Sequence, residues 1–203
     1  MASYFADVAK LFTDFTQNTC SGKKVVFIPT ASIPEEEKFI EEDKESLEKL
    51  GLIVDELEIS TASQNEIKNK IKDTDYIFVA GGNTFFLLQE LKRTGADKLI
   101  IEHINNGKIY ASTSAGSAIV SKDIGYIKDM DNPSAAPDLN NDFSALGVID
   151  FYIVPHCTHP YFEESVKKVV SEYSNKLNLQ IINDNQAVIV KGDLIEIIEV
   201  KNE

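Results

Sequence analysis

Two periods of apolar residues alternate along this chain. Short unbroken runs of β-branched and aromatic residues, Val25-Val26-Phe27-Ile28, Tyr76-Ile77-Phe78-Val79 and Phe151-Tyr152-Ile153-Val154, read as strands buried on both faces. Further strands are predicted near Ile53 to Ile59 and at Ile109-Tyr110-Ala111. Between them the spacing becomes that of amphipathic helices. Tyr4, Phe5, Val8, Leu11, Phe12 and Phe15 form the first, and Pro34 begins a second that carries Phe39, Ile40, Leu47 and Leu50 and ends at Gly51. Ser63 and Glu66 make a capping box ahead of Ile67 and Ile71. Phe86, Leu87, Leu88 and Leu91 mark a helix closed by Gly95, Leu99, Ile100 and Ile104 another, and Val166, Val169, Val170 and Tyr173 the last. Three short strands finish the chain, Leu179 to Ile182, Ala187 to Val190 and Leu194 to Val200, the last two joined through Gly192-Asp193 as a hairpin. Strands alternating with crossover helices predict an α/β domain on a mostly parallel sheet. From Gly125 to Leu146 periodicity fails, and a long irregular stretch inside a compact domain is usually either functional or disordered.

Composition narrows the classes of function. With 203 residues, 43% of them hydrophobic, the chain is expected to form a single domain over 1–203 with a substantial core. A net charge of −13 and one arginine, Arg93, argue against nucleic acid or an anionic membrane as partner. Cys20 and Cys157 lie far apart without metal-ligand spacing, so a reducing compartment is expected and no disulfide framework or metal. No basic leader precedes an apolar stretch, and no apolar run approaches the roughly 18 residues that span a bilayer. The expectation is a cytoplasmic protein without cofactor, monomer or homodimer.

Chemistry is sought at the loops beyond the carboxyl ends of the strands, where open parallel sheets form their sites. The run "IYASTSAGSAIV" stops at three hydroxyl residues and restarts at once as a helix, so the chain reverses with almost no loop and Ser114 stands at the apex. That is the geometry of a nucleophile elbow, with the Ala115 N–H facing a developing oxyanion, although the first small residue is Ser112 where the usual pattern has Gly. The competing reading is a tight turn capped by Ser114. Gly81-Gly82-Asn83-Thr84 also links a strand to a helix, and the Gly82 N–H offers a second oxyanion donor. The other reading of this loop is a Gly-Gly turn with Thr84 as helix cap. Among the histidines, His103 is expected on a solvated helix face, whereas His156 follows a strand on the same rim as Ser114 and is the candidate general base. An acid to orient it is expected between the two, from Asp129, Asp131, Asp138 or Asp142.

The segments "FVAGGNTFFLLQEL", "STSAGSAI", "KDMDNP" and "VPHCTHP", in this order, resemble the peptidase E group of serine peptidases, which includes aspartyl dipeptidases and is related to cyanophycinases. The resemblance runs from "VVFIPTAS" to "NQAVIVKGD". It implies a three-layer αβα sandwich akin to the class I glutamine amidotransferase domain, Ser114 as nucleophile, His156 as base, and Gly82 and Ala115 as oxyanion donors. It also selects Asp129, fifteen residues after Ser114 and directly before Met130, as the orienting acid, with Asp131 as rival. The implied activity is hydrolysis of short peptides through an acyl-enzyme. Aspartyl dipeptidases of this group bind the substrate's N-terminal Asp with an arginine after the catalytic histidine. Here that segment reads "YFEESVKKVVSEYSNK", which leaves Lys167 and Lys168 as the substrate-binding candidates beside Asn83 and Thr84 and puts Asp preference in question. An esterase or amidase using the same residues, and a catalytically silent binding homologue, are the alternative readings.

Overall fold

The computed structural model describes residues 1–34 and 39–200. Four parallel strands, β1 (Lys24–Ile28), β2 (Ile53–Glu56), β3 (Tyr76–Val79) and β4 (Ile109–Ser112), stand in the order β2-β1-β3-β4. Alternate residues of the central strands face opposite ways, so the sheet separates two apolar cores. Val25, Phe27, Tyr76 and Phe78 point to one face, against Phe5, Phe12 of α1 (Ala9–Phe15) and Leu47 of α2 (Phe39–Lys49). Val26, Ile28, Ile77 and Val79 point to the other, against Ile67 and Ile71 of α3 (Gln64–Asp73), Leu87 and Leu91 of α4 (Thr84–Thr94) and Ile100 of α5 (Ala96–Asn105). Helices on both faces of a parallel sheet are what its continuous apolar strands demand. Phe27 and Phe78 are partners in the β1–β3 register and stack at 5.4 Å.

Beyond β4 comes the short helix α6 (Ser114–Ala118), followed by three single 3-10 turns in the irregular region, at Gly125–Ile127, Pro133–Ala135 and Pro137–Leu139. β5 (Tyr152–Val154) and β6 (Leu179–Ile181) form a second parallel pair, linked by α7 (Glu163–Tyr173). β7 (Gln186–Lys191) and β8 (Leu194–Glu199) make the antiparallel hairpin expected around Gly192-Asp193. Ala2 bridges Thr113 at the end of β4 and Ala187 of β7, which threads the first residues of the chain between sheet and hairpin.

The predicted elements are in place with small shifts at their ends. The second strand is shorter than expected, ending at Glu56, and the predicted start of the second helix at Pro34 runs into residues 35–38, outside the described residues. His103 corrects an expectation: it is 4% exposed, and its Nε2 lies 3.1 Å from the Ile109 carbonyl oxygen. It follows Ala96 and Ile100 along the inner face of α5. Among the described residues no helix is long and apolar enough to cross a membrane.

Candidate active site

The loops at the carboxyl ends of β3, β4, β5 and β6 converge on Ser114. Thr113 is still extended (φ −127°), and Ser114 turns into the left-handed region at φ 43° before α6 begins. A non-glycine residue held there stores on the order of 1–3 kcal/mol of strain, so the surroundings must enforce it. They do so from two sides. The Ser114 N–H donates to the Ala2 carbonyl at 2.9 Å, and Thr113 N–H donates to that of Val79 at 3.1 Å. Gly116 then lets α6 sit against β3, because a Cβ at that position would lie 2.2 Å from the Val79 carbonyl oxygen.

His156 comes two residues beyond β5 and is also left-handed, at φ 62°. Its N–H donates to Ser3 Oγ at 3.0 Å, and its side chain is sandwiched, with Phe162 stacked at 4.7 Å and Tyr4 at 4.8 Å. The imidazole Nε2 lies 3.0 Å from Ser114 Oγ. Its Nδ1 lies 2.8 Å from Asp184 Oδ1. A carboxylate at Nδ1 fixes the tautomer, so Nδ1–H donates to Asp184 and Nε2 is left to accept the Ser114 proton.

The acid at Nδ1 is therefore not Asp129. Asp129 lies exposed on the surface after the first 3-10 turn, next to Lys128. Asp131, the rival, accepts from the Thr84 N–H at 2.9 Å and from the Thr84 hydroxyl, and so holds the start of α4. Asp138 and Asp142 are likewise on the exposed loop, Asp142 paired with Lys92 at 3.0 Å. The chain order is Ser, His, Asp. Asp184 was reachable from sequence in principle: "INDN" follows a strand, and a strand parallel to β5 must end on the same rim as His156.

Gly82 adopts φ +127°, and a Cβ there would lie 2.2 Å from the Ala31 carbonyl oxygen, so only glycine fits this turn. Among the described residues, neither the Gly82 nor the Ala115 N–H donates to a protein acceptor. No group of three or more His, Cys, Asp or Glu among the described residues is placed to hold a metal ion.

The model of peptidase family S51 matches residues 1–198 of this sequence. The chain belongs to that family. It is 49% identical over 193 residues, covering 95% of this chain and 93% of the other, to "Uncharacterized peptidase Lmo0363" of Listeria monocytogenes. To "Peptidase E" of Shewanella denitrificans it is 36% identical over 155 residues, which is 75% of this chain and 60% of that protein. A solved structure described as "a Putative Peptidase E Protein from Listeria monocytogenes EGD-e" superposes with a TM-score of 0.93 at 46% identity, over 98% of this chain and 96% of that one. Membership of S51 makes the chain a hydrolase, a peptidase of the serine type.

The four substrate-binding candidates, Asn83, Thr84, Lys167 and Lys168, lie as follows. Asn83 and Thr84 are 1% and 0% exposed, and their side chains are engaged within the chain: Asn83 Oδ1 accepts from the Phe86 N–H as helix cap and Nδ2 donates to the Asn132 carbonyl. Asn83, not Thr84, is the cap. Lys167 projects into solvent on α7 and pairs with Glu163 at 2.5 Å, and Lys168 is exposed beside it, while Val166 and Val169 form the buried face. The contacts made to the Ser114–His156 pair come from other residues. What borders the pair is aromatic: Tyr4, His159 with its ring 6.3 Å from that of His156, Phe162, and Tyr161, which is 82% exposed. Acidic groups gather nearby: the Asp7 carboxyl is pushed up first by burial and then by the charges of Asp184 and Glu42. Arg93, the sole arginine, is committed to Glu90 and to the Ser60 carbonyl.

Proposed function

We propose that this chain hydrolyses short peptides through an acyl-enzyme, with Ser114 as nucleophile, His156 as general base and Asp184 as the acid that orients it. One observation carries the reading: Ser114 Oγ, both imidazole nitrogens and the Asp184 carboxylate form a continuous chain with links of 3.0 and 2.8 Å. In the acylation step Ser114 Oγ attacks the scissile carbonyl while His156 Nε2 takes its proton, and the same nitrogen then protonates the leaving amine. Water attacks the ester by the reverse assignment. The Gly82 and Ala115 N–H groups, without an acceptor among the described residues, are the donors for the oxyanion.

The rim supports a substrate class different from N-terminal Asp. Asp184 and Asp7 repel a second carboxylate, and no free guanidinium is available to clamp one. Tyr4, Phe162 and Tyr161 favour peptides with an apolar or aromatic residue at the scissile bond. The irregular segment 125–146 supports small substrates over folded proteins, since Asp131 and Asn132 fasten it to the α4 turn beside Gly82. A cytoplasmic setting belongs to the same reading and is supported by two free thiols, Cys20 and Cys157.

The test is a mass-spectrometric digest of a dipeptide and tripeptide library with wild type beside Ser114→Ala. Cleavage by wild type alone, strongest for apolar residues and weak for Asp-Leu, is the expected result. Strong Asp-Leu cleavage overturns the specificity, and cleavage of aryl esters with no peptide turned over replaces the peptidase reading by an esterase.

A further inference from the structure

Asp43 is a buried carboxylate that no step of the proposed chemistry uses. It lies on α2 and is 2% exposed, yet it faces the site through two bonds. Oδ2 accepts from the Thr113 hydroxyl at 3.0 Å, and Oδ1 accepts from the Phe5 N–H at 3.3 Å. Each partner is adjacent in sequence to a residue at the reacting pair. Thr113 precedes Ser114, whose left-handed turn must be enforced. Phe5 follows Tyr4, whose ring rests on His156, and Ser3 one residue earlier accepts the His156 N–H. One carboxylate thus grips both sides of the Ser114–His156 hydrogen bond.

We propose that Asp43 is a positioning residue that sets the Ser114–His156 geometry, clamping the elbow through Thr113 and the wall behind His156 through the Phe5 backbone. For its catalytic consequence the proposal rests on the peptidase reading above. The position is an expensive place for a charge, which argues for a use beyond packing. Burial pushes the Asp43 carboxyl up to about 7, the Thr113 and Phe5 bonds pull the other way, and Glu42 on α2 and Asp7 on the 3-10 turn Ala6–Val8, both acidic, raise it further. Among the described residues, what the end of β4 brings to it is the Thr113 hydroxyl. Ionisation of Asp43 therefore falls in the neutral range, and it changes what Thr113 meets: a carboxylate that must accept, or an acid that can donate.

The test compares Asp43→Asn, Thr113→Val, Thr113→Ser and the double variant Asp43→Asn/Thr113→Val with wild type, and uses Glu45→Gln, on the exposed face of α2 and paired with Lys49, as the control expected to keep its rate. On the best peptide from the library, Asp43→Asn and Thr113→Val are each expected to lower kcat at least about tenfold with KM little changed, and the double variant to be no worse than either single one. Thr113→Ser, which keeps the hydroxyl, restores the rate. The pH profile of kcat loses one ionisation near neutrality in Asp43→Asn. A second readout needs no substrate: the low-field proton resonance of His156 Nδ1–H should follow the Asp43 ionisation in wild type and cease to do so in Asp43→Asn. Should wild type cleave no peptide, the peptidase reading fails, and the His156 resonance still decides the role of Asp43. Variants that match wild type in kcat, pH profile and resonance overturn the inference. If Asp43→Asn does not fold, Thr113→Val alone decides, on the same readouts.

Discussion

At the scale of single residues, three side chains carry distinct expectations. Asp184→Asn keeps the shape at His156 Nδ1 but lets the wrong tautomer compete, so kcat should fall by about 10,000-fold. Asp129→Asn touches nothing at the site and should stay within about twofold. Steady-state kinetics on one peptide substrate separates the two, and the opposite ranking would return Asp129 to the role. Gly82→Ala is a structural matter first: the new Cβ meets the Ala31 carbonyl oxygen at 2.2 Å with φ at +127°. We expect a loss of at least about 2 kcal/mol in urea unfolding. That Ser114 and His156 share one rim was legible in the sequence because each lies within three residues of the end of an apolar run that reads as a strand. Asp184 was not legible in the same way, because a carboxylate that meets a histidine has no required place in the chain, and here it comes after the histidine.

Elements explain the rest of what the sequence did and did not convey. The strands were readable because β1 and β3 are buried on both faces, which leaves their apolar runs unbroken. Which strands are neighbours is not written in such runs, and it is the pairing of β5 with β6 that brings Asp184 to His156. His103 was misplaced because a polar residue at a buried helical position looks like a surface one until the stripe Ala96, Ile100, His103 is followed. The acids of the irregular segment had a local use that spacing did not suggest. Asp131 satisfies the first N–H of α4, so Asp131→Ala should cost about 1–2 kcal/mol in urea unfolding. A melting curve indistinguishable from wild type would show that the loop docks without it.

At the scale of the whole molecule, the proton balance of folding is shaped by Asp43. Its carboxyl titrates at 3.8 when free and at about 7 in the fold, so between those values the folded chain holds a proton that the unfolded chain has lost. The contribution of this group is complete below pH 4 and declines as pH rises to about 7, by about 4 kcal/mol at most. Urea unfolding at a series of pH values should show Asp43→Asn with a flatter curve over that range, and parallel curves would contradict the assignment. The net charge of −13 adds self-repulsion in the same direction as carboxyls ionise.

The left-handed turn at Ser114 sets what this protein would become under different selection. Glycine is the residue that backbone prefers, and Ser114→Gly should raise the melting temperature by a few degrees, on the order of 1 kcal/mol, while abolishing the proposed nucleophilic attack. A population screened for heat tolerance alone would drift toward inert, sturdier descendants. Under the proposed mechanism, serine at position 114 exchanges backbone ease for reactivity.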